Sequence, residues 1–242
     1  MPYSEDKNCS PVLECIATSL SDALAIQGAG GHRIELVSAL CEGGFTPSDG
    51  LVRLVLARVT IPVAVMLRPN RSGFYYSEAD LEEMRSDALR LHELGVQHIV
   101  TGILDEHGIA DIDTLERLLD GTDFHVTFHR AIDECTDVAQ SLERINACPR
   151  ITHILTSLGR GHVIDNLERL EWYARHSRPK LILGSGITLK NVSQIAKAAI
   201  QFNADLHIGT ALRYGKAIEP VDRFMLESLC DVLGAMPGTS PA

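Results

Sequence analysis

Eight times along this chain a short apolar run ends in a polar or glycine residue and then gives way to a helical pattern. The runs are Val12–Ala17, Arg33–Val37, Ile61–Leu67, His98–Leu104, Phe124–His129, Ile151–Ser157, Lys180–Gly184 and Ala204–Gly209. They are rich in Val, Ile and Leu with little alternation, as strands covered by protein on both faces are. The clearest helical pattern is Ser77–Leu94, where Leu81, Met84, Ala88 and Leu91 share a face, Ser77 is placed to cap and Gly95 to stop. Asp113, with Glu116 three residues on, reads as a second cap signal, closed by Gly121. Strands and helices alternating in this way predict a single-domain TIM-type (β/α)8 barrel spanning 1–242, with short flexible ends at 1–10 and 234–242. An open doubly wound sheet is the alternative, because alternation alone does not prove closure.

Composition narrows the function. A net charge of -10 argues against nucleic acid, since phosphate backbones need a basic surface. The opening MPYSEDKNCSP has no basic or apolar leader segment, and no stretch approaches the ~20 apolar residues of a membrane span. A cytoplasmic protein without membrane contact is expected. The six cysteines (Cys9, Cys15, Cys41, Cys135, Cys148, Cys230) form no CxxC pair and no zinc-like spacing, so they read as free thiols, most of them buried.

Closing the barrel would bring the strand ends to one mouth, gathering Glu14, Glu35, Arg68, His129, Ser157 and His207. Side chains alternate along a strand, so Glu14 and Ile16 share one face of the first run while Cys15 takes the other. Arg33, Glu35 and Val37 share a face of the second. If Glu14 and Glu35 both point inward, two carboxylates meet, which suits general acid–base work or a hard divalent cation such as Mg²⁺ or Mn²⁺. Alternatively each pairs with an arginine such as Arg33 or Arg68. Arg68, at the end of its run and followed by Pro69, is placed to clamp a carboxylate or phosphate. His129 is a candidate acid, base or metal ligand, or else a structural histidine. Gly184, Ser185 and Gly186 after the seventh run, and Gly209 and Thr210 after the eighth, are candidate phosphate-cradling loops, with Thr188 placed to cap the next helix. Glycines kept only for tight turns are the alternative. No lysine ends a strand, which disfavours a Schiff-base aldolase, and there is no GxSxG elbow or Walker loop.

The strings HRIELVSALCEGGFTPSDG, VMLRPNRSGFYYSEADL, VTFHRAID and ILTS, in this order, resemble the CutC family of copper homeostasis proteins, with a match running from about Val12 to about Leu212. The resemblance implies a TIM-barrel-like fold, a cytoplasmic homo-oligomer and a role in binding copper. The family usually carries cysteines where this chain has Ile16, Val37 and Tyr75. Soft Cu(I) wants thiolate or thioether ligands, and here hydrocarbon and phenol replace them, leaving Cys41 in the second loop, and Met66, as the soft groups near the mouth. Two readings follow. The resemblance gives a copper-binding homeostasis protein, with Glu14, Glu35, His129 and Cys41 as candidate metal ligands. The mouth residues give an enzyme, a proton-transfer isomerase or lyase acting on a small phosphorylated or carboxylated metabolite. In it Glu14 or Glu35 is the base and His129 the acid, while Arg68, Ser157, His207 and the two glycine loops hold the anion. A catalytically idle barrel kept for assembly is a third option.

Overall fold

In the computed structural model, which describes residues 11–234, every apolar run contains a strand. The strands are β1 Leu13–Ala17, β2 Arg33–Leu36, β3 Val63–Met66, β4 His98–Thr101, β5 His125–Phe128, β6 Ile151–Thr156, β7 Lys180–Leu183 and β8 Asp205–Ile208. All pair in parallel with their sequence neighbours, and β8 returns to pair with β1, so the sheet is a closed barrel and the open-sheet alternative falls. Around it run α1 Leu20–Gly28, α2 Asp49–Arg58, α3 Glu78–Glu93, α4 Ile112–Leu118, α5 Val138–Ala147, α6 Leu170–His176, α7 Val192–Gln201 and α8 Arg223–Gly234. The flexible ends expected at 1–10 and 234–242 lie outside the described residues, apart from Gly234, which closes α8. No helix among the described residues is long and apolar enough to cross a membrane.

Local chemistry explains the helix ends. Ser77 and Asp80 form a reciprocal capping box at the start of α3, the helix buries Met84, Ala88 and Leu91, and Gly95 follows its last turn at φ +84°. The cap of α4 is not Asp113 but Asp111, whose carboxylate accepts from the Thr114 N–H. Glu116 reaches away instead, to Arg150 at 3.0 Å and the Cys148 thiol. Thr188 does not cap α7 either: the helix begins at Val192, and the Thr188 hydroxyl bonds the Asn191 side chain. The fourth run is strand only as far as Thr101. At Gly102 a Cβ would sit 2.6 Å from His129 Nδ1, so the missing side chain lets the imidazole lie against the backbone, and the chain leaves the barrel there.

The two faces of each strand build two cores. Cys15, Ile34, Val65, Ile99 and Leu206 turn outward into the large core beneath the helices. Ile16, Val37, Ala64, Met66 and Val100 form a smaller cluster inside the barrel. Each fully buried aliphatic side chain contributes roughly 1.5–3 kcal/mol, so the outer core carries most of the stability and the lumen is freer to hold polar groups. The strand register decides which ones meet. Glu14 lies opposite Arg33 on β2 and His207 on β8, and Ile16 lies opposite Glu35.

Candidate active site

The register places Glu14 between Arg33 and His207. Its carboxylate accepts a hydrogen bond from Arg33 Nε and pairs with His207 Nδ1 at 2.8 Å. Arg33 continues to Asp205 at 3.5 Å, and Asp205 binds Lys180 Nζ at 2.6 Å at the barrel floor. Glu35 stands on the other side of His207, with Oε2 3.7 Å from Nε2. Its second oxygen is buried with no hydrogen-bond partner. The alternative of carboxylates paired with arginines thus holds for Glu14 and not for Glu35.

This asymmetry splits the two acids. Burial raises both, but His207 and Arg33 overcome it at Glu14 and hold its carboxyl down to about 2. At Glu35 burial prevails, with the Glu14 charge adding to it against His207, and the carboxyl is pushed up to about 7. His207 is also buried, which alone would lower it, yet the flanking Glu35 and Glu14 raise its pKa above the ordinary imidazole value.

Above this trio opens a cavity of about 660 Å³. Glu35, His207, Met66 and Ile16 line it below, Arg68 and His129 line one wall, and Ser185, Gly186, Gly209 and Thr210 line the loops after β7 and β8. The expectation of His129 as a proton-carrying acid is revised. Burial, reinforced by Arg68 and Arg130, pushes its pKa down to about 3, so the ring is neutral. Its Nδ1 accepts from the Ala131 N–H, which leaves the proton on Nε2, a buried atom without a partner. His129 is therefore built as a neutral hydrogen-bond donor.

Three other expected residues sit elsewhere. Ser157 is buried beneath the mouth, its hydroxyl donating to Asp133 and to the Gly159 carbonyl, and it does not line the cavity. Gly184 lies just below the wall, where a Cβ would meet Leu155 Cδ1 at 2.8 Å and His207 Cδ2 at 3.3 Å. Cys41 is exposed on the short 3-10 turn Leu40–Glu42, outside the cavity lining. Sequence reasoning missed Asp205, whose signal was a charged residue opening a strand that is otherwise apolar, and Asp133, considered below.

A metal was tested against these groups. The side chains among the described residues whose ligand atoms converge are Glu14, Glu35 and His207, all within 4.8 Å, and neither His129 nor Cys41 belongs to the group. Glu14 is already engaged by Arg33 and His207, so Glu35 and one imidazole nitrogen remain. Two open donors make a poor cage for Mg²⁺ or Mn²⁺. For Cu(I), the soft donors in the lining are two thioethers, Met66 and Met225, with no thiolate beside them. The cysteines among the described residues do not line the cavity, and Cys15 faces the helix layer. The residues do not fit a copper centre.

A sequence profile of the CutC family matches residues 12–209. The chain belongs to the CutC family. A CutC family protein of Mesorhizobium japonicum is 35% identical over 211 residues, covering 84% of this chain and 81% of its own length. A solved CutC from Streptococcus agalactiae, named for copper homeostasis, superposes with a TM-score of 0.74 at 28% identity, covering 83% of this chain and 98% of that one. The tryptophan synthase α subunit of Legionella pneumophila superposes with a TM-score of 0.65 at 15% identity, covering 93% and 94% of the two chains, a likeness of fold alone. In this chain Ile16 and Val37 fill the lumen beside the polar mouth.

Proposed function

We propose that this CutC family member is a barrel enzyme that moves a proton on a small anionic metabolite bearing a carbonyl group, in the isomerase or lyase class, and not a copper carrier. The observation that carries the reading is the split carboxyl pair: Glu14 held ionised, and Glu35 poised near neutrality with a bare oxygen beside the cavity. Environments that drive two neighbouring carboxyl groups apart in this way divide acid–base roles between them. A group that titrates near the working pH gives and takes a proton with similar ease, as a base that must return its proton requires.

In this reading Glu35 takes the proton from the carbon beside the carbonyl, and the C–H electron pair moves toward the carbonyl oxygen. His129 donates its Nε2–H to that oxygen as charge develops, which a neutral imidazole does without becoming a fixed cation. Arg68 on one wall and the loops carrying Ser185, Gly186, Gly209 and Thr210 on the other hold the anion. Where the carbon that lost the proton bears a hydroxyl, the proton returns to the former carbonyl carbon while the hydroxyl proton passes to the first oxygen, giving an isomer. Where a β-substituent is present, the enolate re-forms its carbonyl and a C=C bond as that substituent departs with its bonding pair, giving a lyase product. Lys180, bound to Asp205 at the floor, is remote from the mouth, in keeping with chemistry that does not pass through a Schiff base.

The test is deuterium exchange. Small phosphorylated and carboxylated carbonyl compounds are incubated with the protein in D₂O and read by mass spectrometry. Deuterium enters beside the carbonyl of a substrate with wild type, and at least ~100-fold more slowly with Glu35→Gln. Equal exchange by the two proteins removes Glu35 from the chemistry. A parallel Cu(I) titration under reducing conditions gives no binding tighter than ~1 μM, and tighter binding restores the copper reading.

A further inference from the structure

Arg68 is a buried cation without a counter-ion. It is 8% exposed, its Nε has no hydrogen-bond partner, and none of the ion pairs among the described residues includes it. A buried charge left in this way is costly unless a ligand completes it. The side chain is nevertheless held in place. Thr46 bonds the Arg68 backbone at both its N–H and its carbonyl. The guanidinium carbon lies 5.8 Å from the Phe45 ring centre and 5.2 Å from that of Phe74, where the aromatic faces support the charge without using its hydrogen-bond donors. Gly43, at φ +94°, passes so close that a Cβ there would stand 2.8 Å from Arg68 Nη1. Phe74 also touches His129, ring centres 4.8 Å apart, whose Nε2–H is likewise buried and unpartnered.

Donor count selects the ligand. Phe45, Phe74 and Met66 add no hydrogen bonds, so on this wall a bound group is met by the Arg68 fork and by His129, with the buried Tyr76 hydroxyl against Arg68 beside them. A planar carboxylate takes the fork with its two oxygens. One further oxygen, on the adjacent carbon, is what His129 can serve. A phosphate brings more oxygens, spread tetrahedrally, than these donors reach. We infer that Arg68 and His129 form a subsite for a 2-oxo or 2-hydroxy carboxylate, walled by Phe45 and Phe74 and kept open by Gly43. This rests on the reading of the barrel mouth as the site of a small anion, and adds which anion and which wall.

Calorimetric titration with pyruvate, acetate and inorganic phosphate tests it. Pyruvate binds wild type about tenfold more tightly than acetate, which lacks the second oxygen, and phosphate at equal concentration does not displace it. Arg68→Lys keeps the charge but loses the fork, and Gly43→Ala pushes the guanidinium aside; each weakens pyruvate about tenfold or more. Should either variant fail to fold, the Arg68 Nε–H resonance of wild type, which shifts on adding pyruvate, reads the same contact. Pyruvate binding unchanged in the folded variants, an unmoved Nε–H signal, or displacement by phosphate overturns the subsite. Carboxyl ¹³C titration of Glu35 in the same samples separates the two readings. Arg68-dependent binding with no Glu35 titration near neutrality sustains the subsite and sinks the acid–base role; the converse sinks the subsite alone.

Discussion

Asp133, on the turn Arg130–Glu134 after β5, and Glu35, in β2, are both buried carboxylates near the same end of the barrel. Asp133 accepts hydrogen bonds from the Thr156 hydroxyl at 2.6 Å, the Ser157 N–H and hydroxyl at 2.9 and 2.8 Å, the Gly159 N–H at 3.1 Å and Arg130 Nε at 2.9 Å. Glu35 has one oxygen 3.7 Å from His207 and one with no partner. The first is filled, by donors from the end of β6 and its loop and by Arg130 on its own turn, so that group is structural. The second is left incomplete beside a cavity, and incompleteness there is what chemistry needs. Burial alone therefore does not mark a functional acid; the unfilled hydrogen-bonding capacity does.

The comparison breaks first at Asp133. Asp133→Ala strands two buried backbone N–H groups and a threonine hydroxyl, while the half-exposed Arg130 keeps its bond to Ser157. The substitution is expected to cost about 3 kcal/mol or more in urea denaturation. A loss under ~1 kcal/mol would mean that the network is ornamental. Glu35→Gln is expected to act the other way, and only at higher pH. Below about pH 4.5 the Glu35 carboxyl is protonated both folded and unfolded, so it does not weigh on stability. Between about 4.5 and about 7 the unfolded chain releases the proton while the folded chain keeps it, so stability falls as pH rises and the loss is complete above that range. The glutamine variant escapes this, and should be more stable than wild type by up to about 3 kcal/mol at pH 8 and equal to it near pH 4. Glu14, held low, loses its stabilising contribution as pH falls toward 2 in both proteins, so it cancels in the difference. A gap between the two proteins that does not change with pH would remove the strained acid from this account.

The strand count and parity were legible in the sequence because they follow from local patterns, while closure needed the β8–β1 pairing. Eight apolar runs gave eight strands, and the alternation at Glu14, Cys15 and Ile16 put the first and third inside and the thiol outside. Strand ends and caps were less legible. Asp111 and Asp113 are both plausible by composition, and only the turn geometry chooses the earlier one. Within the site, Glu14, Glu35, Arg68 and His207 could be gathered by parity, since each sits on or next to a strand. What parity could not give was state. That Arg33 takes Glu14, that His129 is neutral, and that Ser157 belongs to Asp133 depend on contacts between elements far apart in sequence.

Ser157 offers the finest test of the contrast, because its position at a strand end makes it look like a mouth residue. Its hydroxyl donates to Asp133 and accepts from Arg130 Nη2, and Ser157 itself stays out of the cavity lining. Ser157→Ala removes one of the several donors to Asp133 and leaves the backbone N–H in place, so a loss of about 1 kcal/mol is expected, well below that of Asp133→Ala. Since the side chain does not line the cavity, pyruvate binding measured in parallel should stay within about twofold of wild type. If binding collapses while stability holds, the boundary drawn between the saturated acid and the open one is in the wrong place, and the β6 loop belongs to the site.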